Sequence, residues 1–268
     1  MALASGMSAI TYAIQCLCEV GDNIVSTSQL YGGTYNLFAH SFPRQGIEAR
    51  MVAFDNFAGF ENAIDEKTKA IFCESIGNPA GNIVDIQKLA DIAHKHGVPL
   101  IVDNTVATPY LCRPFDFGAD IVVHSLTKYM GGHGTSVGGI IVDSGKFDWV
   151  SNKARFPTFN QPDPSYHGVV YTASFGNAAF IARCRVVPLR NMGAAISPMN
   201  AFMIMQGIET LGLRIERHCE NAEKLADYLQ NHSKIAWVNY GALPNSSYYE
   251  TCQKITKGKA SGILVSVR

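Results

Sequence analysis

Short apolar runs alternate with amphipathic stretches along residues 20–145. The apolar runs lie at residues 23–26, 50–54, 70–74, 100–103, 121–124 and 139–143. Residues 86–96 show apolar positions at helical spacing and are followed by Gly97 and Pro99, which are typical of a helix end. Strands that alternate with helices are characteristic of a mostly parallel sheet flanked by helices. The pattern therefore predicts an α/β fold.

The pattern changes beyond residue 187. Apolar residues recur every three or four positions over residues 208–229, with charges between them, which predicts one long amphipathic helix. Residues 191–208 are uncharged and long enough to span a membrane, but polar residues and Pro198 within them indicate a buried or interface helix. Apolar runs at 235–240 and 262–267 flank a polar loop, and the second run stops in mid-strand at Arg268. We expect a large domain over residues 1–187, then connecting helices and a partial C-terminal domain over residues 188–268.

Composition narrows the possible functions. The chain has 268 residues, 47% of them hydrophobic, and a formal net charge of zero, so it can bury a full core and has no charge excess that favours nucleic acid or a membrane. Its seven cysteines include no repeated CxxC pair, which predicts buried packing in a reducing, cytoplasmic environment rather than disulfides or a metal site. The uncharged first 18 residues lack the basic region of a signal peptide. A small-molecule partner is therefore expected.

Polar groups follow the ends of the predicted strands. In an open α/β sheet, ligands bind beyond the carboxyl ends of the strands, so these groups are expected to share one crevice. Each alone also suits a structural role, as a turn, a rim contact or a helix cap. The strand-end groups are Ser28, Tyr31, Glu74-Ser75, Asn78-Pro79, Asp103-Asn104-Thr105 and Ser125-Leu126-Thr127-Lys128.

Lys128 lies in the segment SLTKYMGGHGTSVGG. So many glycines indicate tight turns or close approach of a ligand, and an amine at the rim of an apolar crevice suits attack on a carbonyl. Lys128 is thus a Schiff-base candidate. Near the amino end, Gly6 and Met7 precede a helical stretch predicted at residues 9–18, where their N–H groups could bind a phosphate. The alternative is that Ser5 or Ser8 is an ordinary helix N-cap.

Other catalytic motifs fit less well. Ser125-x-x-Lys128 resembles the SxxK motif of serine acyl-transfer enzymes, but the SDN and KTG partner motifs are missing from the sequence. The sequence also lacks GxxxxGK[ST] and a GxGxxG that follows a strand and opens a helix, which disfavours phosphate-loop proteins and a nicotinamide-dependent dehydrogenase.

The segments ASGMSA, LYGGTYNLF, ESIGNP, VDNT and SLTKYMGGHGTSVGG together resemble the pyridoxal-phosphate enzymes of cysteine and methionine metabolism. PDPSYHGVVY and SPMNAFMIMQGIETLGLRIERH are most similar to the O-acetylhomoserine sulfhydrylase branch. The resemblance implies the aspartate-aminotransferase-like fold type I and pyridoxal 5'-phosphate as cofactor. It also implies a homotetramer built from dimers, with no nucleic acid or membrane partner.

The resemblance also implies a role for each matching residue. Lys128 would bind the cofactor as a Schiff base and move protons, Asp103 would pair with the pyridine nitrogen, and Tyr31 would stack on the ring as a second catalytic residue. Asn78 would bind the ring hydroxyl oxygen. The phosphate would be held by Gly6, Met7, Ser125 and Thr127.

The implied reaction is γ-replacement: O-acetyl-L-homoserine and sulfide, or methanethiol, give homocysteine, or methionine, and acetate. Methionine γ-lyase and cystathionine γ-synthase activities on the same scaffold are alternatives. Relatives carry an upstream Tyr-x-Arg and a downstream carboxylate-binding Arg, which these 268 residues lack. We therefore expect a partial chain with weak cofactor binding and slow turnover, and a non-catalytic remnant is a further alternative.

Overall fold

The computed structural model describes residues 1–260 and the backbone of residues 264–267. Within these residues, seven strands form the main sheet: β1 (Ala2–Leu3), β2 (Asn23–Thr27), β3 (Glu48–Val52), β4 (Thr68–Glu74), β5 (Leu100–Asp103), β6 (Ile121–Ser125) and β7 (Gly139–Asp143). Their order is β1-β7-β6-β5-β4-β2-β3. Strands β2 to β6 are parallel to one another, whereas β7 is antiparallel to both β6 and β1. The predicted α/β fold with a mostly parallel sheet is confirmed.

Helices connect the strands and continue beyond the sheet. The α-helices are α1 (Gly6–Gln15), α2 (Gly32–Asn36), α3 (Phe57–Ala63), α4 (Ile86–Lys95), α5 (Thr108–Leu111), α6 (Pro157–Asn160), α7 (Tyr171–Phe175), α8 (Ala179–Cys184), α9 (Arg190–Met192), α10 (Pro198–Glu209), α11 (Leu211–Gln230) and α12 (Tyr249–Thr256). Short 3₁₀ or π turns lie at Leu37–Ser41, Pro43–Gln45, Pro114–Phe117, Pro164–Tyr166, Gly176–Ala178 and Arg185–Leu189.

The main sheet has an apolar core on each face. Successive residues of a strand point to opposite faces, so the continuous apolar run of β4 supplies both cores. Ile71 and Cys73 pack on the face covered by α4 and α11, and Ala70 and Phe72 on the face covered by α1 and α8. With both faces covered, only the ends of the strands are open to a ligand.

Most predicted elements occur close to their expected bounds. The six predicted strands are present, although β3 begins two residues before the expected start at Arg50. The helix predicted over residues 86–96 is α4. Helix α1 begins at Gly6, three residues earlier than expected, because Ser5 caps it by accepting a 3.0 Å hydrogen bond from the N–H of Ser8. The N-cap alternative therefore holds, and it places Gly6 and Met7 in the first turn.

The long amphipathic helix predicted over residues 208–229 is present as α11, although residues 208 and 209 belong to α10. The chain leaves helical geometry at Thr210, which separates α10 from α11. Residues 191–208, predicted to form a buried or interface helix, are only partly one helix: residues 193–197 are not helical, and residues 198–208 lie in α10, where Ile204 and Gly207 are the buried residues. Its exposed face carries Met199, Phe202, Met205 and Ile208. No helix of the described residues has the length and apolarity needed to cross a membrane.

The tail forms a second, smaller unit of structure. Strand β8 (Ile235–Asn239) pairs antiparallel with β9 (Leu264–Val267), and helix α12 occupies part of the stretch predicted to be a polar loop. Of the predicted tail, residues 262, 263 and 268 lie outside the described residues. The division into domains at residue 187 stays a prediction. All seven cysteines are buried and free, as expected.

Candidate active site

A cavity of about 860 Å³ opens at the carboxyl ends of β4, β5 and β6 and at the start of α1. All eight residues predicted to bind the cofactor line it, whereas the strand-end residues Ser28, Ser75 and Asn104 do not. The eight residues are Gly6, Met7, Tyr31, Asn78, Asp103, Ser125, Thr127 and Lys128. The structure therefore brings together groups that are spread over more than 120 residues of sequence, as expected for the open edge of a parallel sheet.

Lys128 and Tyr31 face each other across the cavity. The Lys128 amine lies 6.0 Å from the centroid of the Tyr31 ring. The ring rests against the backbone of Gly33, where an added Cβ would lie 2.6 Å from the ring carbon Cε1. Lys128 is exposed, because the cavity is open to solvent on this side. The Tyr31 ring and the accessible Lys128 amine therefore line the same part of the cavity.

Asp103 ends β5 and is held by Thr105. The Thr105 hydroxyl and backbone N–H donate to Oδ1 of Asp103 at 2.5 and 2.9 Å, and the same hydroxyl oxygen accepts the N–H of Ser125 at 2.8 Å. Burial raises the pKa of Asp103 to about 6, although the Thr105 bonds oppose this shift. The two Thr105 bonds therefore fix the orientation of the Asp103 carboxyl group.

The amino end of α1 packs directly on the end of β6. A Cβ on Gly6 would lie 2.6 Å from Cβ of Ser125, so only glycine permits this approach. The first-turn N–H groups of a helix have no partner within the helix and attract anions. The hydroxyl of Thr127 is already engaged, since it donates to the carbonyl of Gly138 at 3.2 Å and accepts its N–H at 3.1 Å.

Glu74 is a site residue to which sequence reasoning gave no role. It ends β4, is buried, and accepts the backbone N–H groups of Tyr31 and Asn78. Burial, followed by the nearby charge of Asp103, raises the pKa of Glu74 to about 8. The available signal was its place at a strand end beside the other polar groups.

His218 of α11 also lines the cavity and was missed, because no local motif marks it. Its ring lies 5.2 Å from that of Tyr129, the residue that follows Lys128. Arg214, one turn earlier on α11, donates to the carbonyl of Tyr129 at 2.7 Å and to that of Gly207 at 2.5 Å. Helix α11 therefore holds the loop that carries Lys128.

Helix α10 approaches the same loop backbone to backbone. A Cβ on Gly207 would collide with the carbonyl oxygen of Gly131, so α10 packs against the loop with no side chain between them. In the Lys128 segment itself, a Cβ on Gly132 would collide with the Arg214 guanidinium of α11, and one on Gly138 with Ile204 of α10. These two glycines therefore allow the close approach of helices of the same chain.

Comparison with known proteins identifies the family. The sequence profile of the Cys/Met metabolism PLP-dependent enzymes matches residues 1–268. The chain belongs to this family. It is 51% identical over 265 residues to a homocysteine/cysteine synthase of Saccharomyces cerevisiae, covering 98% of this chain and 60% of that protein. It is 48% identical to an O-acetyl-L-homoserine sulfhydrylase of Leptospira meyeri, covering 99% of this chain and 61% of that protein.

The fold agrees with that of solved structures. A Campylobacter jejuni protein described as an O-acetylhomoserine (thiol)-lyase, whose crystal structure contains N'-pyridoxyl-lysine-5'-monophosphate, matches with a TM-score of 0.96 and 43% identity. The match covers all of this chain and 65% of that one. The fold is thus that of the PLP-dependent sulfhydrylases. The chain spans about 60% of the length of the named relatives above.

The cavity fits the cofactor of the family. Neither Glu74 nor Asp103 has an ion-pair partner in the part of the chain that the structure describes. A protonated pyridine nitrogen would supply the missing positive charge, and the first turn of α1 at Gly6 and Met7 suits a phosphate. Both requirements of pyridoxal phosphate are therefore met within one cavity.

Proposed function

We propose that the chain forms the cofactor-binding part of an enzyme that converts O-acetyl-L-homoserine and sulfide into L-homocysteine and acetate. The observation that carries the proposal is the convergence of an amine, a carboxylate, an aromatic ring and a helix N-terminus on one cavity. The names of relatives at about 50% identity support the choice of substrate. They disfavour a non-catalytic remnant.

Each residue has a role that its position supports. Asp103 pairs with the pyridine nitrogen, Tyr31 stacks on the ring, and Asn78 binds the ring hydroxyl oxygen. Gly6, Met7, Ser125 and Thr127 surround the phosphate. Bound pyridoxal phosphate supplies an electron sink that weakens bonds at the substrate α-carbon.

Lys128 then acts as the mobile base. Its exposed amine can bind the cofactor carbonyl and afterwards accept a proton at Nζ and return it, because it faces the space beside Tyr31. In the overall reaction the bond from the γ-carbon to the acetate oxygen breaks and a carbon–sulfur bond forms at the same carbon. Acetate leaves with the electron pair, and the sulfide proton is released.

Borohydride reduction of the chain with pyridoxal phosphate, followed by peptide mass mapping, tests the cofactor site. We expect the adduct on Lys128, and we expect Lys128→Ala to lose the yellow chromophore. The control is Lys146→Ala, at an exposed site outside the cavity, which should stay yellow. An adduct on another lysine would refute the proposal.

Product analysis tests the reaction. Homocysteine from O-acetylhomoserine and sulfide supports the sulfhydrylase. Breakdown of methionine alone indicates the lyase, and cystathionine formed with cysteine indicates cystathionine γ-synthase. These sister activities share the strand-end residues, so the products separate them.

We further propose that the protein acts in the cytoplasm as a homotetramer built from dimers. The exposed apolar face of α10 supports the association, since such faces mark interaction sites. Phe202→Glu should reduce the mass measured by light scattering, whereas Glu209→Gln at the end of α10 should leave it unchanged. An unchanged mass in Phe202→Glu would contradict the use of this face.

A further inference from the structure

Glu74 connects two walls of the cavity that are distant in sequence. Its side chain is 4% exposed, and its two oxygens accept backbone N–H groups from Tyr31 at 2.7 Å and from Asn78 at 3.1 Å. These donors belong to the segments that follow β2 and β4. One carboxylate therefore fixes the two segments relative to each other.

The two segments have few other means of placing their side chains. In the described part of the chain, neither the Tyr31 hydroxyl nor the Asn78 amide makes a side-chain hydrogen bond, and both residues are exposed. Their positions thus depend on the backbone, and the backbone is held by Glu74. Loops that are ordered before binding do not lose conformational freedom when the ligand arrives.

Glu74 and Asp103 are register partners on the neighbouring strands β4 and β5. They nevertheless serve different neighbours. Both oxygens of Glu74 are engaged by the two loops, whereas Asp103 has one oxygen, Oδ2, without a hydrogen bond among the described residues. Asp103 is therefore the carboxylate available to a bound ring, and Glu74 the one committed to the protein.

We propose that Glu74 is a positioning residue of the cofactor site, whose carboxylate holds Tyr31 and Asn78 in place before pyridoxal phosphate binds. The inference rests on the proposed function. In its ionised form, which the two N–H bonds favour against the effect of burial, Glu74 offers one acceptor oxygen to each loop. Glutamine has one acceptor and one donor, so Glu74→Gln keeps the size and leaves one N–H group facing an NH₂ group.

The test compares Glu74→Gln with Ser75→Ala. Ser75 is buried in the next position and bonds Asn104 at 2.8 Å, outside the cavity. We expect both variants to lower the melting temperature, but only Glu74→Gln to weaken pyridoxal phosphate binding, by about tenfold, and to change the visible circular dichroism of the bound cofactor. Equal affinity and equal dichroism in Glu74→Gln and the wild type would overturn the proposal.

Amide hydrogen exchange of the cofactor-free wild type gives a second test that does not require a folded variant. The amides of Tyr31 and Asn78 should exchange at least about tenfold more slowly than the amide of Gly32, for which the described residues provide no acceptor. Equally fast exchange of all three amides would refute the proposal that Glu74 holds the two loops. A wild type that binds no cofactor but protects both amides would instead count against the proposed function.

Discussion

Thr105 donates two hydrogen bonds to a single oxygen of Asp103, one from its hydroxyl and one from its backbone N–H. The hydroxyl oxygen also accepts the N–H of Ser125 from the adjoining strand β6. Thr105 therefore fixes the orientation of the Asp103 carboxylate and links the ends of β5 and β6. This double use makes the hydroxyl group a precise target for substitution.

Thr105→Val keeps the shape of the side chain and removes the hydroxyl. The Asp103 carboxylate loses a donor and the N–H of Ser125 loses its acceptor, so we expect the free energy of unfolding to fall by about 1–3 kcal/mol. Urea denaturation measures the loss. Thr27→Val is the control, because the buried Thr27 hydroxyl has no partner among the described residues. A similar loss in both variants would contradict the bridging role.

Gly6→Ala should disrupt the start of α1. The added Cβ would meet the Cα and Cβ of Ser125 at 2.9 and 2.6 Å, so the helix must move away from the strand end. We expect a loss of about 1–3 kcal/mol in stability and weaker binding of inorganic phosphate, both read from melting curves with and without phosphate. Gly32→Ala, where a Cβ meets nothing within 4 Å, should leave both unchanged.

Arg214→Lys should loosen the loop that carries Lys128. A lysine cannot reproduce the fork that binds the carbonyls of Tyr129 and Gly207, so we expect a loss of about 1–3 kcal/mol and weaker cofactor binding. Chemical denaturation and a cofactor titration measure the two effects. Arg217→Lys, on the same helix but in an exposed ion pair with Glu220, should be neutral. Wild-type affinity in Arg214→Lys would contradict this role.

His94 should make stability depend on pH. Its Nε2 lies 2.8 Å from Oδ2 of Asp120, and this bond is the main reason that the pKa of His94 is raised. A raised pKa in the folded state adds stability that is complete below the unfolded pKa, about 6.5, and is lost as the pH rises through the folded value. Because the side chain is 44% exposed, we expect a loss below about 1 kcal/mol between pH 6 and 8.

Urea midpoints at the two pH values measure this loss, and His94→Gln should remove the difference. The control is His40→Gln, an exposed histidine whose ring contacts Tyr35. If His94→Gln retained the full pH dependence, another group would be responsible.

The sequence predicted the centre of the fold better than its edges. The central strands are buried on both faces, so each reads as a continuous apolar run, and β5 and β7 begin and end where expected. Strand β1 has two residues, too few for any periodicity to show. The break at Thr210 has no local signal, since it follows from tertiary contacts: Gly207 packs on one loop while α11 packs its apolar side on the core.

The same distinction applies to the site. Lys128, Asp103 and Tyr31 could be predicted because they follow strands in recognisable segments. Glu74 could be placed at the site but not given a role, since its partners are backbone N–H groups, which leave no trace in the sequence. His218 reaches the cavity from a helix 90 residues beyond Lys128, and only the packing of α11 shows it.

Through the contact between Gly207 and Gly131, α10 lies between the Lys128 loop and an exposed surface. Its inner surface touches the loop that follows Lys128, while its outer surface presents Met199, Phe202 and Met205 to the surroundings. No side chain separates the backbone of α10 from that of the loop at this contact, so the two pack as one rigid unit. A displacement of the outer surface of α10 would therefore also move the loop that carries Lys128.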